Sequence, residues 1–224
     1  VRRFLAFLEA DASGAKALYI LGDLFEYWAG DDDLADPFNA AICSALKHLD
    51  SSGTKVFFLP GNRDFLIGNG FAVATGATLL DEPYLVTIAG VPTLLLHGDT
   101  LCTDDAAYQD FRRQIRSSAW RQNFLAQALT ERKAQIEILR TASESEKSKK
   151  SVAIMDANAA AVAAVLRQHG LPPRLIHGHT HRPALHMHGI DGHQFERWVL
   201  AAWDDAPAYL SIDSASCRSL PVNA

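Results

Sequence analysis

"LIHGHTHRP", residues 175–183, places His177, His179 and His181 within five positions, behind Leu175-Ile176 and ahead of Arg182-Pro183. The apolar pair ends a short run that reads as a buried strand, and Gly178 lets the backbone turn there. Three imidazoles so close together repel one another when protonated. A strand that delivers them to a loop therefore implies a site that keeps them neutral. Metal coordination does so, because an imidazole ligand must offer a lone pair.

The same device recurs three times upstream. "ALYILGD" (17–23), "KVFFLPGNRD" (55–64) and "VPTLLLHGDT" (91–100) are apolar runs that pass into polar loops. The four junctions are Gly22-Asp23, Gly61-Asn62, His97-Gly98-Asp99 and Gly178-His179. In α/β sheets, ligands bind outside the carboxyl ends of the strands. Four strands delivering Asp23, Asn62, His97 and His179 to one rim predict an α/β fold with a metal centre there. An amphipathic helix is expected over 2–12. A second is expected over 37–51, where Phe38, Ile42, Ala45, Leu46 and Leu49 keep helical spacing. The tail alternates in β-like pieces, "ALHMH", "QFERWVLAAW" and "AYLSID", separated by turns.

The stretch 104–170 lacks strand signals and holds no glycine before Gly170. Phe111, Ile115, Phe124, Leu125, Ala128, Leu129, Ile136 and Leu139 recur at helical spacings among basic residues. Residues 112–150 carry ten Lys or Arg against four Glu, within a chain of formal net charge −5. A basic insertion on an acidic body suits a metal-rich site beside a surface for an anionic ligand. The expected organisation is a core over 1–102, a helical lid over 103–151, and the rest of the core over 152–224.

Bulk properties agree with a soluble globular chain: 224 residues, 48% hydrophobic and 21% charged. Cys43, Cys102 and Cys217 are odd in number and lack zinc spacing, so incidental thiols in a reducing compartment are expected. No apolar run reaches the length of a membrane span. Nothing points to nucleic acid or to a protein partner.

Mixed Asp, Asn and His donors suit borderline divalent ions such as Mn, Fe, Zn or Co. An Asp can bridge two such ions, and His179 and His181 are the expected imidazole ligands of the opening stretch. His177 is expected behind them or in the core. His186, His188 and His193 read as surface or packing residues.

Together, "GDLFEYWAGDDD", "GNRDFL", "LLHGD" and "GHTHRP" resemble, in this order, the calcineurin-like metallophosphoesterase superfamily. Arg63 in "GNRD", "HGDTLCTDDAAYQDFR" and "KSVAIMDAN" make the chain similar to the UDP-2,3-diacylglucosamine hydrolases of Gram-negative lipid A synthesis. The resemblance implies a sandwich of two mixed β-sheets flanked by helices, with a helical lid. It implies hydrolysis of UDP-2,3-diacylglucosamine by water attack at the α-phosphorus, giving UMP and 2,3-diacylglucosamine 1-phosphate. It implies a pair of metals, Mn2+ preferred, with Asp23 bridging, Asn62, His97 and His179 completing one site and His181 in the other. Substrate contacts would come from Asn62, Arg63, Asp105, Ser143, Lys147, Lys150 and His179. A peripheral location on the cytoplasmic side of the inner membrane follows from the acylated substrate.

Many members of the superfamily carry His where this chain has Arg63. Arginine cannot donate a proton near neutrality, but its fork grips phosphate oxygens, which suits a diphosphate. Asp64 and Asp99 are expected behind the ligands, orienting the imidazoles. The superfamily also opens on a strand ending in Asp-x-His, which residues 1–16, "VRRFLAFLEADASGAK", do not contain. The expectation is that about twenty further residues carrying that strand precede Val1, an estimate from βαβ crossover length. Residues 1–224 alone would then bind one metal better than two and be nearly inactive.

Overall fold

Period-two alternation along the strands decides the layers. The computed structural model describes residues 2–149, 154–204 and 206–222. Strands β1 (Ala17–Ile20), β2 (Lys55–Phe58) and β3 (Thr78–Leu79) form a parallel sheet in that order. Strands β4 (Tyr84–Ile88), β5 (Val91–Leu96), β6 (Arg174–His177), β7 (Ala184–Ile190) and β8 (His193–Val199) form a mixed sheet ordered β4-β5-β6-β8-β7. Strands β9 (Ala208–Ile212) and β10 (Cys217–Pro221) pair as an antiparallel ribbon.

On the first sheet, Leu18, Ile20, Val56 and Phe58 pack among α1 (Arg2–Ala10), α2 (Pro37–Ser51) and α3 (Asn69–Thr75). Their neighbours Tyr19, Leu21, Phe57 and Leu59 turn the other way, onto Leu95, Ile176 and Trp198 of the second sheet. That sheet's Leu94, Leu96, Leu175 and Phe195 face outward onto Val162 and Leu166 of α7 (Ala159–Gln168). The order of layers is helix, sheet, sheet, helix. Each strand serves two cores by alternation, and each fully buried Leu or Phe contributes about 1.5–3 kcal/mol.

Local signals start the helices where the chain needs them. Pro37 occupies the first turn of α2, whose cap Asp36 accepts the Phe38 N–H. Asn158 accepts the N–H groups of Ala160 and Ala161 at the start of α7. Between β5 and α7 stand three inserted helices, α4 (Ala106–Ile115), α5 (Ser118–Leu125) and α6 (Leu129–Lys149). The expected strands, the helices at 2–12 and 37–51 and the β-rich tail all have counterparts. Short α3 and β3 escaped the reading, since seven and two residues hold too little periodicity to register.

Candidate metal centre

Asp23, Asn62, His97 and His179 follow the ends of β1, β2, β5 and β6. Parallel pairing of β1 with β2 and of β5 with β6 brings those ends to one rim. Ligand atoms of Asp23, His97 and His179 lie within 4.8 Å of one another. His97 Nε2 is 3.7 Å from Asp23 Oδ1. The Asn62 amide oxygen sits between the rings, 2.9 Å from His97 Nε2 and 2.8 Å from His179 Nδ1. Ligand bonds of about 2.0–2.2 Å place neighbouring donors roughly 3 Å apart, so these spacings suit a shared ion.

Proton counting gives the same answer. His97 Nδ1 lies 2.8 Å from the Leu21 carbonyl oxygen, which can only accept. That nitrogen therefore carries the proton of a neutral ring. Nε2 faces the amide oxygen of Asn62 at 2.9 Å, an approach that needs positive charge there, supplied by a bound cation or by a second ring proton. Burial alone would lower the His97 pKa, but the Asp23 and Asp99 carboxylates outweigh it and raise it. The centre favours positive charge, and its donor set fits a borderline divalent metal.

The backbone is strained at the same places. Asp23, His179 and His181 adopt φ of 54°, 64° and 54°, in the left-handed region that non-glycine residues avoid. Such residues cost about 1–3 kcal/mol each and persist only where their surroundings over-determine them. Asp23 is held by the Arg63 N–H, which donates to its Oδ1 at 2.9 Å. The Arg63 side chain lies alongside, with Nε 3.6 Å from Asp23 Oδ2 and Nη1 paired to Glu26.

Among the described residues neither Asp64 nor Asp99 hydrogen-bonds to an imidazole, although the charges of Asp99 and His97 act on one another. Asp64 is fully buried and accepts the N–H groups of Gly61 at 2.7 Å and Leu24 at 2.8 Å. It ties the loop after β2 to the loop after β1. Burial, then the Asp23 charge, push its carboxyl upward against those donors. Asp99 Oδ2 accepts from the Tyr108 hydroxyl at 2.9 Å and from Arg112 Nε at 2.7 Å. Burial would raise its pKa, but His97, Arg112 and Arg116 hold it down at about 2.

These contacts fasten the inserted helices to the rim. Glu82 accepts the His97 N–H at 2.7 Å and pairs with Arg112 at 3.3 Å. Arg116 donates to the Gly61 carbonyl oxygen at 2.9 Å, and the Tyr108 ring stacks on His179 with centroids 5.9 Å apart. Sequence reading missed Glu82 and Tyr108 and took Arg112 and Arg116 only as charge. The available signal was their spacing: 108, 112 and 116 share one helical face. Farther along, Arg132 donates to the Ala29 carbonyl oxygen at 2.5 Å and pairs with Asp32, while Lys133 meets Asp33 at 2.7 Å.

The remaining expected residues are scattered. Among the described residues His181 is not part of the Asp23, His97 and His179 group, and its side chain is exposed. Asp105 caps α4 by accepting the Tyr108 N–H at 3.1 Å. Ser143 is exposed on α6. The Lys147 side chain and all of Lys150 lie outside the described residues. His177 is fully buried, and burial pushes its pKa down to about 4.

A family model for calcineurin-like phosphoesterases matches residues 1–183. The UDP-2,3-diacylglucosamine hydrolase of Aromatoleum aromaticum is 54% identical over 96% of this chain and 87% of its own. That of Chromohalobacter salexigens is 45% identical over 93% of this chain and 89% of its own. That of Pseudomonas entomophila is 44% identical over 98% of this chain and 91% of its own.

Proposed function

The chain belongs to the calcineurin-like phosphoesterases and, within them, to the UDP-2,3-diacylglucosamine hydrolases, and from that premise we propose how its centre works. It hydrolyses the pyrophosphate bond of UDP-2,3-diacylglucosamine in lipid A synthesis and depends on divalent metal. Water attacks the α-phosphorus, releasing UMP and 2,3-diacylglucosamine 1-phosphate. The observation that carries the reading is the convergence of Asp23, His97 and His179 around the Asn62 amide oxygen, with Arg63 alongside.

Asp23, Asn62, His97 and His179 would hold one Mn2+, and Asp23 with His181 would belong to a second. When bound, the ions supply Lewis acidity toward phosphoryl oxygens and acidify water. Asp23 is positioned by the Arg63 backbone, which leaves the Arg63 guanidinium beside the reaction centre. A guanidinium stays charged at working pH, so its part is to grip phosphate oxygens and offset negative charge as 2,3-diacylglucosamine 1-phosphate departs. Leu21 fixes the His97 tautomer, and Glu82 fixes its backbone.

Helices α4, α5 and α6 would serve as the lid, and Asp105, Ser143, Lys147 and Lys150 are the residues proposed to bind the sugar and phosphates. Phe111, Leu125, Ile138 and Leu139 are exposed there and suit acyl chains and a peripheral contact with the cytoplasmic face of the inner membrane. Among the described residues no helix is long and apolar enough to cross a membrane. Flotation with anionic liposomes tests the contact, and absence of binding at low salt would count against it.

Hydrolysis in 18O-water with 31P NMR of the products tests the chemistry. Label on UMP is expected. Label on the sugar phosphate, or turnover of ADP-ribose in preference to the acylated nucleotide sugar, would overturn the reading.

A further inference from the structure

The outer face of the second sheet, turned toward α7, carries a histidine–arginine group that the reaction does not use. Arg197 on β8 stands in register with Leu175 on β6 and with His186 on β7. Its side chain is 7% exposed. Nη1 lies 3.0 Å from His177 Nε2, and Nε lies 3.1 Å from His188 Nε2. Arginine has donors only, so both imidazoles must offer a lone pair at Nε2. The His177 proton then resides on Nδ1, which lies 2.9 Å from the Gly178 carbonyl oxygen.

This arrangement fixes the first residue of the loop that carries His179 and His181. The Gly178 N–H donates to the His97 carbonyl oxygen at 2.8 Å, and the Leu200 N–H donates to that of His177 at 2.8 Å. The His177 ring also lies against Gly98, where an added Cβ would sit 2.8 Å from Nδ1. At the far end, Arg182 Nη1 meets Asp156 Oδ2 at 2.5 Å. Between these two ties the backbone at His179 and His181 is held in the left-handed region. A loop strained at two positions relaxes unless both ends are pinned.

We propose that Arg197 is a positioning residue for the metal centre. By donating to His177 Nε2 it locks the tautomer whose Nδ1–H holds the Gly178 carbonyl, and so aims His179 at Asn62 and Asp23. Arg197 touches neither substrate nor ion. The inference rests on the reading of His179 as a ligand.

Two measurements on the full-length protein test it. Long-range 1H–15N correlation of the metal-free parent reports the tautomer of each histidine, and His177 is expected as the Nδ1–H form. The Nε2–H form would overturn the proposal, because an arginine cannot donate to an N–H. Titration with Mn2+, followed by its EPR signal, is then compared for the parent, Arg197→Met and Arg197→Lys. Loss of an orienting contact behind a ligand typically weakens metal affinity about 10–100-fold, and that is the expectation for Arg197→Met. Lysine, which keeps one donor, should restore part of it. In turnover, kcat should fall with KM unchanged. Equal Mn2+ affinity in the parent and Arg197→Met would remove the role of Arg197 and leave the metal reading standing. A parent that binds no Mn2+ would sink the metal reading itself. Should Arg197→Met fail to fold, the parent's tautomer still decides the point.

Discussion

A methyl group added to Gly22 would lie under 3.0 Å from the Cα of Gly61, so the loops after β1 and β2 cross with no room for a side chain. Gly22 also holds φ +80°, which L-residues rarely adopt. Gly22→Ala should therefore cost roughly 1–3 kcal/mol and push Asp23 away from Asn62. Urea unfolding gives the first quantity and Mn2+ titration the second. A variant with parental stability and parental Mn2+ binding would show that the crossing has slack.

Asp23 sits at φ 54°, which asparagine tolerates better than alanine. Asp23→Asn isolates the charge, while Asp23→Ala adds backbone strain. Both should lower turnover by about 10²–10³-fold or more, since several kcal/mol of charge stabilisation depend on a bound metal. Asp23→Ala alone should also lose about 1 kcal/mol of stability. Near-parental turnover of either variant would misplace the centre.

Arg63→Lys keeps a positive charge and the backbone N–H on Asp23 but loses the planar fork. Charge-assisted hydrogen bonds are worth about 1.5–3 kcal/mol, so kcat/KM should fall roughly tenfold to a hundredfold. Metal content should stay unchanged. A fall in bound Mn2+ would instead assign Arg63 to holding Asp23 rather than phosphate.

Arg132 is 1% exposed and satisfies the Ala29 carbonyl from α6. Arg132→Leu keeps the volume and leaves that carbonyl without its donor, at a cost of about 1–3 kcal/mol. The pairing with Asp32 adds little, because Asp32 is mostly exposed. The shift in urea midpoint measures the loss. No shift would mean that α6 is not anchored through Arg132.

Cys43 and Cys102 are buried, and burial, helped by Asp31 and Asp99 respectively, pushes their thiols up to about 11 and about 12. Cys217 is only partly buried, though burial raises its thiol as well. At pH 8 a disulfide reagent should titrate one thiol quickly in the native protein and three after denaturation. Fast reaction of all three would contradict the packing around Cys43 and Cys102.

Apolar runs that stop at Gly-Asp, Gly-Asn, His-Gly-Asp and Gly-His are local records of burial followed by a turn. Four strand ends and Asp23, Asn62, His97 and His179 could therefore be read from the sequence. The basic helical insertion was legible for the same reason, as was α1, whose Phe7 and Leu8 are buried. Nothing local told Asp64 to accept the N–H of Leu24, forty residues away, or Asp99 to face Tyr108 and Arg112 rather than an imidazole. Arg116 on Gly61 and Arg197 on His177 were equally silent. Periodicity reports which side of a strand or helix is dry, and that much the chain carries in its own order. The partner of a buried polar group depends on which loops cross beside it, so it was decided only when the two sheets and the inserted helices came together.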